Sequence, residues 1–584
     1  MPHQRVAAPV VPAPTAEITN GRDVEPLLLH TLLDRGPALQ PDNLVISKVS
    51  GGLHQQTYRE HKARVLRLAS ALSRWGLRVE DRIATLMWNH GWHYECYHAI
   101  PCLGAVLHTL NLRLGPADLG YIIEHAQDRL ILVDLDLLKL LGEVNPKFMS
   151  CVEQVVINTE GSSSSSSSYA VPSSLSGIKI VDYEAFLSTG DSRIEWPLIP
   201  ETSACGLCYT SGTTGRPKGV PYSQRSTYLH TLLLLSTCCT GIHGSQVILP
   251  FVPMFHVLSW GFPFAMLLTG ARAVFNSRWM DPQTLLELFL ECEVQLSTGV
   301  PTVWQGVRAA AQAQDLAALK KKLRLRTLIC GGSSPPAEMM RWYLDALGVE
   351  FYQAWGMTEM NPLGSIAQRV AKAADVGKPV DETFKNVMKA GLPTPGVQVR
   401  IANPDNMDED MPQGEAGELL VRGPWIIQEY FRDPAPDKFH KGWLITGDVA
   451  SLDSEGAIVI ADRSKDVIKS GGEWISSIDL ENAISSMAGT IASACVVAVP
   501  HAKWEERPIA VVTLAEGAKI EDLLKRVREH CSADFAKFQL PDDVLVWDAI
   551  PLTSTGKLDK KTVRSKLKEM DYKLPEESTP ASKL

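Results

Sequence analysis

The sequence lacks any excess of positive charge. Its 584 residues carry 57 Lys and Arg side chains against 66 Asp and Glu, a net charge of −9. Proteins that coat nucleic acids neutralise phosphates with surplus Lys and Arg, so this balance excludes that class and we expect no nucleic-acid partner. Apolar residues make up 45% of the chain and charged residues 21%, which is ordinary globular composition and excludes a mainly disordered chain.

Long uninterrupted apolar runs are also missing. The first 20 residues are rich in Pro and Ala and hold no apolar stretch of signal-peptide length. The longest charge-free stretch, residues 226–271, is broken by glycines, prolines and histidines. A membrane span needs about 20 consecutive apolar residues, so we predict no transmembrane segment and expect this stretch to be buried core beside an apolar ligand channel.

The cysteines do not form the framework of a secreted protein. There are 11, an odd number without regular spacing, which favours a reduced compartment. Cys205 and Cys208 form a lone CxxC without a second pair at zinc-finger spacing, so we predict a buried apolar strand there. The last residues, Ser582-Lys583-Leu584, match a peroxisomal address, which predicts a peroxisomal location and the peroxisomal import receptor as a partner.

Apolar periodicity predicts an α/β architecture. A helical pattern over residues 60–75 is followed by strand-like segments at 83–87, 130–133 and 155–157, and this alternation is typical of a parallel sheet wrapped by helices. A Ser-rich surface loop falls near 160–176, inside the large N-terminal domain, 1–461. Residues 462–574 alternate strand and helix patterns and predict a small α+β domain, followed by a flexible tail at 575–584.

A glycine- and hydroxyl-rich loop is the strongest chemical signal. Residues 209–220 read YTSGTTGRPKGV. Backbone N–H groups, hydroxyls and the Lys218 ammonium suit anionic oxygens, and glycines let the backbone approach a phosphate. A Walker loop, the other common phosphate-binding loop, needs Lys directly after Gly and before Ser or Thr. Lys218 lies between Pro217 and Gly219, so the spacing excludes a Walker loop.

This loop resembles the AMP-binding signature of the adenylate-forming superfamily, which includes acyl-CoA synthetases, beetle luciferases and peptide-synthetase adenylation domains. Four further segments match the family's motifs in order: 352–359 (YQAWGMTE), 443–448 (WLITGD), 462–469 (DRSKDVIK) and 551–557 (PLTSTGK). Segments 253–260 and 471–481 look most like medium- and long-chain fatty acyl-CoA synthetases. The resemblance covers about 57–568. It implies a large N-terminal domain of doubly wound α/β subdomains plus a distorted β-barrel, and a small mobile C-terminal domain.

The resemblance implies a nucleotide site and a metal site. Glu359, beside Thr358, is the implied Mg²⁺ ligand, with a loop hydroxyl, Ser211 or Thr214, nearby. Asp448 and Arg463 are expected on the ribose, and Trp355, where the family usually carries Tyr, on the adenine. The full set of implied ATP- and AMP-binding residues is Thr210, Ser211, Gly212, Thr213, Thr214, Gly215, Lys218, Gly332, Ser333, Gln353, Ala354, Trp355, Gly356, Thr358, Asp448, Arg463, Lys469 and Lys557.

Further implied roles concern the acyl group and the domain motion. His256 is implied to orient the carboxylate, and Trp260 to gate the acyl tunnel, one turn further on if the segment is helical. Trp474 is expected near the adenylate; both tryptophans could instead be ordinary core aromatics. The resemblance also implies that the small domain rotates about Lys465. This rotation would withdraw the catalytic Lys557 from the site and present the CoA face at Gly471 and Gly472.

These expectations favour ATP-dependent activation of a medium- or long-chain fatty acid to acyl-AMP, then transfer to coenzyme A. The alternatives are a ligase for an aromatic or short or branched acid, a luciferase-like monooxygenase, and a non-catalytic adenylate or acyl binder. An apolar pocket discriminates by only about 1–3 kcal/mol per methylene, so the sequence decides no chain length. It decides no oligomeric state either.

Overall fold

The structure is a computed structural model and describes residues 25–160, 170–210, 216–471, 473–487, 489–515, 517–518, 521–553 and 556–574. Most of the Ser-rich loop, the phosphate-loop residues 211–215, Gly472 and the C-terminal Ser582-Lys583-Leu584 lie outside these ranges.

In these ranges the strands are β1 (Leu44–Val49), β2 (Gly52–Thr57), β3 (Arg82–Leu86), β4 (Val106–Thr109), β5 (Asp128–Asp134), β6 (Gln154–Asn158), β7 (Lys179–Asp182), β8 (Ala204–Tyr209), β9 (Gly219–Ser223), β10 (Val247–Pro250), β11 (Arg272–Phe275), β12 (Leu296–Gly299), β13 (Thr327–Gly331), β14 (Glu350–Gly356), β15 (Leu363–Ala367), β16 (Leu392–Pro393), β17 (Gln398–Asn403), β18 (Asn406–Asp410), β19 (Gly417–Arg422), β20 (Phe439–His440), β21 (Trp443–Leu452), β22 (Ile458–Arg463), β23 (Ile468–Ser470), β24 (Glu473–Ile475), β25 (Ile491–His501), β26 (Glu505–Leu514) and β27 (Asp543–Val546).

The α-helices of the same ranges are α1 (Arg35–Leu39), α2 (Tyr58–Trp75), α3 (Gly91–Cys102), α4 (Pro116–Ala126), α5 (Leu138–Gly142), α6 (Tyr183–Ser188), α7 (Gln224–Leu235), α8 (Phe262–Thr269), α9 (Pro282–Glu291), α10 (Pro301–Gln312), α11 (Leu316–Lys322), α12 (Ala337–Trp342), α13 (Val380–Phe384), α14 (Ser477–Ser485), α15 (Leu523–Cys531) and α16 (Lys560–Glu569).

Local sequence explains why α2 forms: Thr57 and Glu60 make a reciprocal capping box, and Gly76 ends the helix in the left-handed conformation.

Two mainly parallel sheets build most of the large domain. One has the strand order β7-β6-β5-β3-β4-β8-β9 and the other β16-β15-β14-β13-β12-β10-β11-β1-β2, with the antiparallel pairs at their edges. The predicted strands at 83–87, 130–133 and 155–157 are β3, β5 and β6, neighbours in the first sheet. Their buried apolar runs suit parallel strands covered on both faces.

A third, antiparallel sheet has the order β18-β17-β19-β21-β20, with β22 also paired to β21, and forms the barrel-like part. The fourth sheet, β24-β23-β26-β25 with β27 on β26, packs with α14, α15 and α16 as the small α+β unit. The predicted fold class is therefore confirmed. Strand β22 extends to Arg463, two residues past the predicted end of the large domain at 461. The exact domain bounds stay a prediction.

The stretch 226–271 forms α7, β10, α8 and the approach to β11, and most of it is buried in the principal apolar core. In the described part of the chain, no helix is long and apolar enough to cross a membrane. Cys205 and Cys208 lie buried on β8, as predicted, and no cluster of three metal-ligating side chains occurs among the described residues.

Candidate active site

A cavity of about 380 Å³ lies where the carboxyl ends of β13 and β14 meet β22 and the loop that carries Lys557. Ligands of open α/β sheets commonly bind at such carboxyl ends. A second cavity of about 590 Å³ shares part of its wall with the first, and the common residues are Gly332, Ser333, Ala354, Trp355, Gly356, Arg463 and Ile478. Large-domain and small-domain residues therefore line a space made of two adjoining cavities.

One side of this space is apolar. Its wall consists of Leu234, Val257, Trp260, Phe262, Ile329, Leu363 and Ile366. Trp260 packs tightly on β13, because a Cβ added at Gly331 would lie 2.8 Å from the indole ring. Any side chain at position 331 would displace Trp260, so the pair fixes the shape of the apolar compartment.

The Trp260 segment is a turn of unusual handedness. Val257, Leu258, Ser259 and Trp260 have φ between 46° and 55°, so 257–260 is a left-handed turn and not one further turn of ordinary helix. Such φ values are costly for non-glycine residues and persist only where the surroundings enforce them. All four side chains are buried, which supplies that enforcement.

His256 directly precedes this turn and lines the cavity. Burial, and next the positive charge of Lys557, lower the pKa of His256 to about 3. The ring is therefore neutral at physiological pH and can donate one N–H to a carboxylate without adding charge.

The nucleotide side is organised around a buried carboxylate. Asp448 on β21 is 3% exposed and lies opposite Arg463 on β22. Arg463 Nε is 2.8 Å from Asp448 Oδ1, and Trp355 Nε1 donates to Asp448 Oδ2 over 2.9 Å. A carboxylate has about four acceptor positions, so Asp448 can still accept two hydroxyls of a ribose.

Glu359 is held at the inner end of the same space. It is 7% exposed, and the Tyr430 hydroxyl donates to its Oε1 over 2.7 Å. The neighbouring Thr358 carbonyl accepts a hydrogen bond of 2.8 Å from the Tyr222 hydroxyl. A buried carboxylate oriented by a phenol fits Mg²⁺, which takes one or two protein carboxylates and completes its shell with phosphate oxygens and water.

Lys557 enters the cavity from the small domain. A Cβ added at Gly332, where φ is +91°, would lie 2.8 Å from Lys557 Cε, so glycine is required for this approach. Its loop docks on the large domain through the Thr302 hydroxyl, which donates to the Gly556 carbonyl over 3.3 Å. Burial, and next the charge of Arg463, lower the pKa of Lys557 to about 8, whereas Asp448 and Glu359 raise it.

Several predicted site residues lie elsewhere. The Lys218 ammonium is 2.9 Å from the carboxylate of Asp433 and lies over the Tyr430 ring, outside the cavity lining. Lys469 faces Trp474 across β23 and β24, and Trp474 is 39% exposed. Neither lines the two cavities.

The other predictions fall close to the cavities or cannot be placed. Thr210, Thr358 and Lys465 line the first cavity, and Gln353 lines the second. Gly471 adopts φ +62° and donates its N–H to the Trp504 carbonyl. The phosphate-loop residues Ser211, Gly212, Thr213, Thr214 and Gly215, together with Gly472, lie outside the described residues.

Sequence reasoning missed three residues that position the groups of the site: Tyr430, Asp462 and Lys560. Tyr430 touches Glu359 from 71 residues away and belongs to no motif. Asp462 is the first residue of the motif at 462–469 and Lys560 follows the motif at 551–557, but their connection through Ser477 depends on how the two domains meet. The local signal was that Lys560 lies only three residues after Lys557.

Comparisons with known proteins agree with this geometry. The family model described as AMP-binding enzyme matches residues 33–431, and the one described as AMP-binding enzyme C-terminal domain matches 479–557. A 3-methylmercaptopropionyl-CoA ligase of Ruegeria lacuscaerulensis is 38% identical over 93% of this chain and 98% of its own length. A long-chain-fatty-acid–CoA ligase of Thermus thermophilus is 38% identical, with 93% and 96% covered.

Among solved structures, an anthranilate–CoA ligase in complex with anthranoyl-AMP superposes with a TM-score of 0.78 at 20% identity, covering 93% of this chain and 98% of that one. At this identity the likeness shows the fold alone. The family models and the two relatives carry the assignment: the chain belongs to the AMP-binding enzymes of the adenylate-forming superfamily, whose curated members similar to it are acid–CoA ligases.

Proposed function

We propose that this protein is an ATP-dependent fatty acid–CoA ligase, which converts a medium- or long-chain acid, ATP and coenzyme A to acyl-CoA, AMP and pyrophosphate. The observation that carries the proposal is the buried Lys557 ammonium, which lies between an apolar compartment and the ribose-type carboxylate of Asp448. The first wall suits an acyl group, and the second suits a nucleotide. The ammonium is where the two must react.

In the first half-reaction a carboxylate oxygen of the acid attacks the α-phosphorus of ATP. The new O–P bond forms as the bond from the α-phosphorus to the bridging oxygen breaks, and pyrophosphate leaves with that electron pair. Two anions must meet, so the catalytic task is to align them and to neutralise charge. Lys557 supplies a positive charge from within a dry cavity, where it acts more strongly than in water.

The other groups position the reactants. The neutral His256 ring can donate a hydrogen bond to the acid's carboxylate, while Asp448, Arg463 and Trp355 hold the nucleoside. Glu359 would hold Mg²⁺, which when bound neutralises phosphate charge.

In the second half-reaction the sulfur of coenzyme A attacks the acyl carbonyl of acyl-AMP. A C–S bond forms, the C–O bond to AMP breaks, and the thiol proton is lost. Lys557 occupies the cavity in this structure, so it must withdraw before a thiol can approach. We infer that the small domain turns about Lys465 and brings the Gly471 face to the site, as the family resemblance implies.

A second candidate substrate is a short thioether acid. Two of the relatives most similar to this chain, at 38% and 37% identity, are named 3-methylmercaptopropionyl-CoA ligases. The apolar wall beside Trp260 suits a short thioether chain as well as a fatty chain. Chain length is therefore the quantity to measure.

A substrate panel tests the proposal. Purified enzyme with ATP, Mg²⁺ and coenzyme A is given even-numbered acids from butyrate to stearate, 3-methylmercaptopropionate, a cinnamate and, separately, luciferin with oxygen. We expect acyl-CoA formation with a maximum at medium or long chains. A maximum at 3-methylmercaptopropionate or the cinnamate selects the alternative substrate, and light emission selects a luciferase. Absence of acid-dependent pyrophosphate exchange into ATP with every acid overturns the proposal.

We further propose import into peroxisomes, on Ser582-Lys583-Leu584 alone. The test is a fusion with an N-terminal fluorescent protein. It should co-localise with a peroxisomal marker and become diffuse when the tripeptide is removed. An unchanged distribution after removal rules out this address.

A further inference from the structure

A buried polar network connects the two domains across the hinge, which is the position of Lys465. Asp462 is 1% exposed and Ser477 is fully buried. The Asp462 carboxylate accepts hydrogen bonds from both the backbone N–H (2.6 Å) and the hydroxyl of Ser477. The Lys560 ammonium donates to that same hydroxyl and lies 2.9 Å from Glu481 Oε1.

The residues of this network lie on opposite sides of Lys465 in the sequence. Asp462 belongs to β22 and is held opposite Val449 of β21, in the barrel-like sheet of the large domain. Ser477 and Glu481 lie on α14, and Lys560 begins α16, both after the hinge. A second hydrogen bond also connects the two sides of Lys465: the Ser476 hydroxyl donates to the Ala461 carbonyl over 2.6 Å.

The network also connects the ribose site to the catalytic loop. Asp462 is next to Arg463, which pairs with Asp448. At the other end, Lys560 begins α16, three residues after Lys557 along the chain. The network therefore lies between the strand residue next to Arg463 and the start of the helix that follows the Lys557 loop.

The Lys560 ammonium faces the carboxylates of Glu481 and Asp462 inside the protein. Lys560 and Glu481 are each 11% exposed at their side chains, and Glu481 also accepts the Val496 N–H over 2.8 Å. Although burial lowers it, Glu481 and Asp462 raise the pKa of Lys560 above its usual value, so the ammonium stays charged. Losing one partner of such a buried set leaves the others uncompensated, which is costly.

We propose that Asp462, Ser477 and Lys560 form a latch across the hinge that holds the small domain with Lys557 in the active site, which makes Lys560 a positioning residue for adenylation. This rests on the proposed function and on rotation about Lys465. Rotation must separate Asp462 from Ser477 and Lys560, because they lie on opposite sides of the hinge. Opening the latch would then accompany the change from acyl-AMP formation to thioester formation.

The test separates the half-reactions. Acid-dependent ATP–pyrophosphate exchange reports adenylation, and acyl-CoA formation from supplied acyl-AMP and coenzyme A reports the second step. For Lys560→Met we expect exchange to fall about tenfold or more, the loss expected for hydrogen bonds to a charged group. Thioester formation should be unchanged or faster, since withdrawal of Lys557 no longer requires breaking the latch.

Matched variants guard against a merely structural effect. Ser477→Ala removes the bridging hydroxyl and keeps the Ser476 helix cap, and it should give a smaller loss of the same kind. Lys560→Arg should restore part of the exchange. Lys568→Met makes the same change at an exposed position of α16 and should leave both rates at wild-type values. Melting temperatures identify a variant that fails to fold.

The outcomes are distinct. Equal loss of both half-reactions in Lys560→Met and Ser477→Ala, or loss in neither, overturns the latch while the proposed function stands. A wild-type enzyme that exchanges no pyrophosphate with any acid overturns the proposed function, and the latch with it. A selective loss of exchange in both variants, with Lys568→Met normal, establishes the latch.

Discussion

The hydrogen bond from Trp355 to Asp448 offers a sharp test of the nucleotide site. Trp355→Phe keeps an aromatic face for the adenine and removes the indole N–H that lies 2.9 Å from Asp448 Oδ2. Asp448 is 3% exposed, so water cannot readily replace that donor, and among the described residues Arg463 remains to orient the carboxylate. A hydrogen bond to a charged group contributes about 1.5–3 kcal/mol, which corresponds to about 10- to 100-fold in affinity.

The assay is steady-state kinetics with ATP and the best acid of the panel varied separately. We expect the KM for ATP to rise about tenfold or more, with the KM for the acid unchanged. Trp443→Phe is the matched control, because Trp443 lies on the same strand as Asp448 and its ring contacts the guanidinium groups of Arg400 and Arg422. The reasoning is refuted if Trp355→Phe leaves the KM for ATP within about twofold of wild type, or raises both KM values together with a lowered Tm.

Three further predictions concern the catalytic centre. Lys557→Ala should abolish acyl-AMP formation and spare thioester synthesis from supplied acyl-AMP; equal loss of both rates would contradict the assigned role. Because burial and then Arg463 lower the pKa of Lys557 to about 8, the exchange rate should fall as the pH rises through about 8, where the ammonium is lost. A rate that holds constant to pH 10 would argue against this. Tyr430→Phe removes the donor to Glu359 and should raise the Mg²⁺ concentration for half-maximal exchange about tenfold; an unchanged Mg²⁺ dependence would show that the phenol does not orient the carboxylate.

Much of the architecture was readable from local patterns. Residues 60–75 repeat apolar side chains at helical spacing and lie between a capping box and a left-handed glycine, so α2 forms where predicted. Strands β3, β5 and β6 are short apolar runs between helices, which is typical of a covered parallel sheet. Glu359, Asp448 and Lys557 fell within short motifs, and the structure brings all three near one cavity.

Long-range pairings could not be predicted in this way. Lys218 lies in the phosphate loop by sequence, but the fold places Asp433, 215 residues further on, against its ammonium. Trp260 would lie one turn beyond His256 if the segment were an ordinary helix, but residues 257–260 are buried in a left-handed turn. In both cases contacts distant in sequence override the local pattern.

The sequence by itself determined the chemistry: which residues are charged, which loops favour phosphate, and which periodicities make helices and strands. Those properties depend on side-chain type and on spacing over a few residues. Only the tertiary structure decided the partners: Trp355 with Asp448, Tyr430 with Glu359, and Asp462 with Ser477 and Lys560. Each pair joins segments far apart in the sequence, and they meet only when the whole chain buries its apolar surface.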